Sequence, residues 1–158
     1  MTTVRQLSLF LENSPGRLAR VARALADAGV DLVALSLAEA EQYGVARLIA
    51  SDARRAAGVL EAAGFSVRET EVVAARAPDR PGGLSRALEA AAGAGLNVQY
   101  LYAFPLRRGT DAALVFRFDR PREAAGVLRE AGIALVSEED LAGPAWTDGS
   151  PCCPCPVT

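Results

Sequence analysis

Over the first dozen residues apolar and polar positions alternate, with Leu7, Leu9 and Leu11 on one side, and this two-residue period predicts a half-buried strand from Val4 to Leu11. The period then changes. Leu18, Val21, Leu25 and Ala28 recur at helical spacing after Ser14-Pro15, so a helix is expected with Ser14 as its N-cap, Pro15 in its first position and Gly29 as its stop. Strands are expected at Leu32 to Ala38 and Val45 to Ser51, around a turn at Gln42-Tyr43-Gly44, and then a helix from Arg54 to Ala63 ended by Gly64. The faces carrying Leu7, Leu9 and Leu11 and then Val33, Leu35 and Leu37 are the most apolar, and are expected to pack under the helices.

The same order of elements returns at Val72 to Ala77, Gly83 to Ala92, Val98 to Phe104, Ala112 to Phe118, Arg122 to Ala131 and Ala134 to Leu141. The letters repeat too. Ala56 to Gly64 reads AAGVLEAAG and Ala124 to Gly132 reads AAGVLREAG, at an offset of 68. Pro15-Gly16-Arg17-Leu18 matches Pro81-Gly82-Gly83-Leu84 and Gly29-Val30-Asp31 matches Gly95-Leu96-Asn97, both at an offset of 66. A two-residue insertion within Pro105 to Thr110 reconciles the two offsets. Two copies follow, each ordered strand, helix, strand, strand, helix, strand. Two helices on one face of an antiparallel four-stranded sheet is the ferredoxin-like βαββαβ arrangement, so the fold class is α+β. The last strand of the first copy, about Ser66 to Val73, overlaps the first strand of the second, about Glu69 to Ala77, so one strand should pass through both. The expected organisation is a first unit at 1–72, a second at 73–142 and a Pro- and Cys-bearing tail at 143–158, irregular or disordered by its composition.

Composition removes most chemistry from consideration. The 158 residues include no histidine, and all 17 basic residues are arginine. Nucleophile–His pairs, His metal ligands, Schiff bases and P-loop lysines are therefore excluded. A net charge of −2 offers no field for nucleic acid or an anionic membrane, and no partner of either kind is expected. The longest uncharged stretch, Ala90 to Leu106, is 17 residues and contains Asn97, Gln99 and Pro105, too short and too polar to span a bilayer. Without a leader-like segment at Met1 to Glu12, a cytoplasmic location is the expectation. Cys152, Cys153 and Cys155 crowd the tail and form no disulfide framework; a thiophilic metal would lack a fourth ligand there, so neither metal nor cofactor is expected. The run Arg17, Arg20, Arg23 reads as a solvated helix face.

The stretch Glu12-Asn13-Ser14-Pro15-Gly16-Arg17-Leu18, with Gly29-Val30-Asp31-Leu32 after the helix, resembles an ACT domain, the regulatory amino-acid-binding module. Asp79-Arg80-Pro81-Gly82-Gly83-Leu84 and Gly95-Leu96-Asn97-Val98 resemble it equally. The resemblance spans about Met1 to Leu141. It implies a non-catalytic regulatory protein whose small effector, often an amino acid, binds where the loop before the first helix of one domain meets a partner domain. Physical chemistry gives this loop a matching capability: a helix N-terminus offers free N–H groups to a carboxylate, and a glycine there lets the ligand approach the backbone. The ammonium of a zwitterion needs an acceptor, for which Asn13 or Asp31 in the first copy and Asp79 or Asn97 in the second are the candidates. Candidate ligand-binding residues are thus Asn13, Ser14, Pro15, Gly16, Arg17, Leu18 and Asp31, with Asp79, Arg80, Pro81, Gly82, Gly83, Leu84 and Asn97.

Three other functions are weighed against this one. The regulatory small subunit of a biosynthetic enzyme such as acetolactate synthase has similar length and an N-terminal ACT domain, but its second half does not resemble another ACT domain with a Pro-Gly loop. Enzymatic relatives of the fold such as acylphosphatase need an arginine cradle and an asparagine in a signature missing from both copies. Metal chaperones of this fold class place Cys-x-x-Cys in the first loop, which here is Asn13 to Gly16. Finally, Tyr100, Tyr102 and Phe104 fall on the face away from the helices, and such an aromatic stripe is expected to be covered, by a second chain in a homodimer or by the tail with Trp146.

Overall fold

The protein is described here from a computed structural model, which describes residues 3–39, 43–107 and 111–142. Strand β1 (Val4–Glu12) leads to helix α1 (Arg17–Asp27), strands β2 (Leu32–Glu39) and β3 (Tyr43–Ala50) and helix α2 (Ala53–Ala62). Strand β4 (Val67–Pro78) then leads to α3 (Gly83–Gly93), β5 (Val98–Arg107), β6 (Asp111–Phe118), α4 (Pro121–Glu130) and a short α5 (Glu138–Ala142). The six strands form one sheet in the order β2-β3-β1-β4-β6-β5, every neighbouring pair antiparallel.

The strand expected to pass through both copies is β4, 12 residues long. Its pairing changes partner midway: Val67 to Val72 lie opposite β1, and Val73 to Pro78 lie opposite β6. With no linker between them, the copies are joined by continuous extended backbone.

The strand expected from Ala134 to Leu141 is shortened to a single bridge. Leu135 pairs with Ala75, flanked by backbone bonds from Arg76 to Ala134 and from Val136 to Ala74, and α5 follows at once. The local signal is Ser137-Glu138-Glu139-Asp140, a capping box: the Asp140 N–H donates to Ser137 Oγ at 3.1 Å and the Ser137 N–H donates to Asp140 Oδ2 at 3.0 Å. The Ser137 N–H and the Ser137 hydroxyl, which donates to the same Oδ2 at 2.8 Å, hold the Asp140 carboxyl below the ordinary aspartate value. Glu138 accepts from the Arg5 backbone at 2.7 Å and from its guanidinium at 3.2 Å, tying α5 to β1. Burial pushes the Glu138 carboxyl up, but the bonds from Arg5 outweigh it and leave the net shift downward.

Three apolar clusters organise the layers. Leu7, Leu9 and Leu11 pack under α1 and α2 with Val21, Leu25, Leu48 and Leu60. Val73, Ala75, Phe116 and Phe118 pack under α3 and α4 with Ala87 and Leu128. The third cluster joins the helix-free faces of both copies: Val4, Ala34 and Ile49 from the first meet Val72, Ala74, Val115 and Tyr102 from β4 onward, closed by Val136 and Leu141. The sheet therefore coils about β4 until its helix-free face closes on itself, with helices outermost on both sides.

That closure decides the fate of the aromatic stripe. Tyr100, Tyr102 and Phe104 do lie away from the helices and are half-buried, and residues of the first copy of the same chain pack over them. Gln6, fully buried on β1, donates from Nε2 to the Tyr100 hydroxyl at 2.7 Å and accepts at Oε1 from the Tyr102 hydroxyl at 3.0 Å. The Arg47 guanidinium lies 4.1 Å from the centre of the Tyr100 ring. Burial, and next the neighbouring Tyr100, raise the Tyr102 hydroxyl above its ordinary value against the opposing pull of Arg47. Trp146 lies outside the described residues.

On the outer face the expectation for β2 fails in part. A bulge between Leu32 and Ala34 turns Val33 toward the helix-free cluster, and β2 lies at the sheet's edge beyond the helices, leaving Leu35 45% and Leu37 54% exposed.

Candidate functional site

The Pro-Gly loops are type II turns. Gly16 has φ 83 and ψ −9, and Gly82 has φ 93 and ψ −14, the left-handed conformation this turn requires of its third residue, with proline pre-set at the second. The turn bond runs from the Arg17 N–H to the Ser14 carbonyl at 3.4 Å and from the Gly83 N–H to the Arg80 carbonyl at 3.1 Å. Helix α1 consequently begins at Arg17, after Gly16, and not at Pro15 with Ser14 as its cap; no side chain caps either α1 or α3. Their first N–H groups are free of a side-chain acceptor, which suits an anion.

In the first copy this helix start opens onto a cleft of about 330 Å³. Leu11 and Glu12 at the end of β1 form one side, and Asn13, Ser14, Arg17 and Leu18 the turn and the first helical residues. Leu37 and Ala38 of edge strand β2, with Gly44 of β3, complete it. Arg17 Nη2 stands 3.4 Å from Glu12 Oε2, and the Arg17 side chain is 33% exposed. Its Nε, however, is buried without a hydrogen-bond partner, the one such side-chain nitrogen or oxygen among the described residues. An unsatisfied buried N–H on a cation costs stability, and a bound carboxylate is the kind of acceptor that relieves it.

The expected site residues divide. Asn13, Ser14, Arg17 and Leu18 line the cleft; Pro15 and Gly16 shape the turn beside it. Asp31 does not join them. It follows the C-terminal end of α1, an 11-residue helix about 16 Å long, so it stands at the opposite end from Asn13. There its N–H donates to Ser51 Oγ at 3.1 Å. Asn97 is likewise placed beyond the end of α3, its N–H bonded to Asp119 Oδ1 at 3.1 Å. Asn13 and Asp31, like Asp79 and Asn97, therefore do not share one site within a copy: loop and strand residues are separated by a whole helix. In the second copy Asp79, Arg80, Pro81 and Gly82 are exposed on the turn, and Gly83 and Leu84 open α3.

Sequence reasoning missed Glu12 and Leu37. The signal for Glu12 was its place at the polar end of the alternating strand, next to the loop. Leu37 had been assigned under the helices, and only the edge position of β2 leaves it free to line a cleft.

A second, smaller cleft of about 210 Å³ lies between Arg5, Ser51, Asp52 and α5. Its charges are already matched, Arg5 with Glu138 and Asp52 with the Arg55 N–H as the cap of α2. Among the described residues no three His, Cys, Asp or Glu side chains gather as a metal site, and Cys152, Cys153 and Cys155 lie outside those residues. No helix among them is long and apolar enough to cross a membrane.

Among curated proteins none matches this chain. A family model described as an ACT domain pair matches residues 1–144. Among solved structures, protein BT0572 from Bacteroides thetaiotaomicron is 34% identical with a TM-score of 0.84, covering 89% of this chain and 96% of that one. The ligand-free regulatory subunit of aspartate kinase from Thermus thermophilus shares the fold at 15% identity and a TM-score of 0.58, over 83% of this chain and 93% of that one. The corresponding subunit from Thermus flavus gives 16% and 0.58, over 84% and 94%. With the two Pro-Gly turns in register, the shared strand and a family match over nearly its whole length, the chain belongs to the family of ACT domain pairs.

Proposed function

We propose that this protein is a cytoplasmic, non-catalytic regulator that binds a small effector, an amino acid or similar zwitterion, at a loop–helix junction of its ACT fold. The observation that carries this reading is the first-copy cleft, where the Glu12 carboxylate and the Arg17 guanidinium stand side by side next to an uncapped helix start. An α-carboxylate finds the guanidinium and free N–H groups; an α-ammonium finds Glu12 and the Asn13 amide. Effector binding would be reported to a partner enzyme, as the regulatory subunits of aspartate kinase with the same fold suggest, and a homodimer of this chain would be the unit that does so.

A thermal-shift screen against the twenty amino acids tests the reading. A ligand at 100 times its dissociation constant should stabilise the protein by about 2.7 kcal/mol. A flat response from well-folded protein defeats amino-acid sensing.

A further inference from the structure

The two loops share a turn but not a cleft wall. At the offset of 66 that relates them, Glu12 and Arg17 correspond to Pro78 and Gly83, so neither charged group of the first wall has a counterpart in the second. Leu11 and Leu37 correspond to Ala77 and Ala103. The change at position 83 also alters the backbone packing. A Cβ on Gly83 would lie 2.3 Å from the Pro78 carbonyl oxygen, so α3 starts directly against the end of β4 at a distance only glycine permits. Arg17 carries a Cβ, and α1 cannot make the same approach to β1. The charges that the second loop does carry, Asp79 and Arg80, are exposed residues of the turn itself.

We infer that the two copies have divided their roles: each chain takes one effector, in the first copy, and the second loop, whose helix starts directly against the end of β4, takes none. This rests on the effector-binding reading above and deepens it. The first wall also fixes the ligand's class. Its one guanidinium and one carboxylate match the α-carboxylate and α-ammonium, and beyond Asn13, Ser14 and Gly44 the rest of the lining is the apolar Leu11, Leu18, Leu37 and Ala38. The effector is therefore an α-amino acid with an uncharged, apolar side chain, since a third charge would be desolvated against leucines without a partner.

The test is titration calorimetry of the full chain with L-valine, L-leucine, L-methionine and L-phenylalanine, with L-lysine and L-glutamate as charged comparators, alongside amide spectra of ¹⁵N-labelled protein. The expected result is saturation by an apolar member at one ligand per chain, with shifts at the Gly16 and Gly44 amides and none at Gly82 and Gly83. Arg17→Gln should weaken binding at least tenfold while the spectrum of the free protein stays folded, and Asp79→Ala should leave affinity unchanged. Two ligands per chain, shifts at Gly82 and Gly83, or equal losses from Arg17→Gln and Asp79→Ala overturn the division of roles while leaving effector binding intact. Binding by lysine or glutamate in preference to every apolar member overturns the ligand class alone. No saturable binding by any amino acid overturns the effector reading and this inference with it.

Discussion

In α2 and α4 the stretches Ala56 to Gly64 and Ala124 to Gly132 are nearly the same nine letters, and they are packed alike: Ala56 and Ala124, like Leu60 and Leu128, are fully buried against their respective sheets. At the other end of each copy the loops Asn13 to Leu18 and Asp79 to Leu84 keep only the Pro-Gly turn and a leucine, and the walls around them differ in charge, size and approach. The two copies are thus alike in what packs and unlike in the walls beside the Pro-Gly loops. Core positions answer to volume, which is the same problem in both copies, whereas a cleft wall answers to chemistry that one copy can supply for the pair.

The largest expected effects test the half of the comparison that is conserved. Leu60→Ala and Leu128→Ala should each destabilise by about 2–5 kcal/mol, and by similar amounts, because each removes the same fully buried side chain from an equivalent site. Denaturant midpoints differing by more than half of that cost would break the equivalence.

Next comes the point of divergence. In an exposed helix an alanine for glycine usually stabilises by about 0.5–1 kcal/mol, and Gly58, whose Cβ position is open, should behave so. Gly83→Ala should do the opposite and cost about 1–3 kcal/mol, since its methyl group meets backbone and not a flexible side chain. If both variants were stabilised, the close start of α3 would be wrong.

The contact between copies follows. Tyr102→Phe removes the hydroxyl that donates to Gln6 Oε1 and leaves that buried oxygen without it, at a cost of about 1–3 kcal/mol. Gln6→Leu together with Tyr102→Phe should recover part of the loss, because the unsatisfied group is gone; a double-mutant cycle measures it.

The smallest effect concerns the one element without a counterpart. Glu138 and Asp140 are both held below their ordinary carboxyl values, by Arg5 against the opposing burial and by Ser137. A depressed carboxyl contributes stability above its unfolded value and loses it as pH falls through the folded value. Docking of α5 should therefore weaken as pH drops below the ordinary values of 4.5 and 3.8, seen as faster hydrogen exchange at Val136 and Leu141 with Leu48 unchanged. Uniform acceleration across all three amides would mean that α5 is not a separate unit.

The amino-acid sequence by itself determined the repeat, the type and order of the elements from β1 to α4, the strand shared between copies and the place of the two Pro-Gly loops. All of these rest on local physics: a period of two or 3.6, a glycine that tolerates positive φ, and letters repeated at a fixed offset. The tertiary structure decided the rest. Coiling of the sheet about β4 brought Gln6 to Tyr100 and Tyr102, more than ninety positions away, and so covered a stripe that the pattern left bare. Helix length carried Asp31 and Asn97 away from the loops they had been paired with, and the edge position of β2 delivered Leu37 to the cleft in which Glu12 and Arg17 meet. Periodicity shows which face a residue takes; what stands opposite that face depends on how far the sheet curls and where each helix stops, which is set by packing across the whole chain.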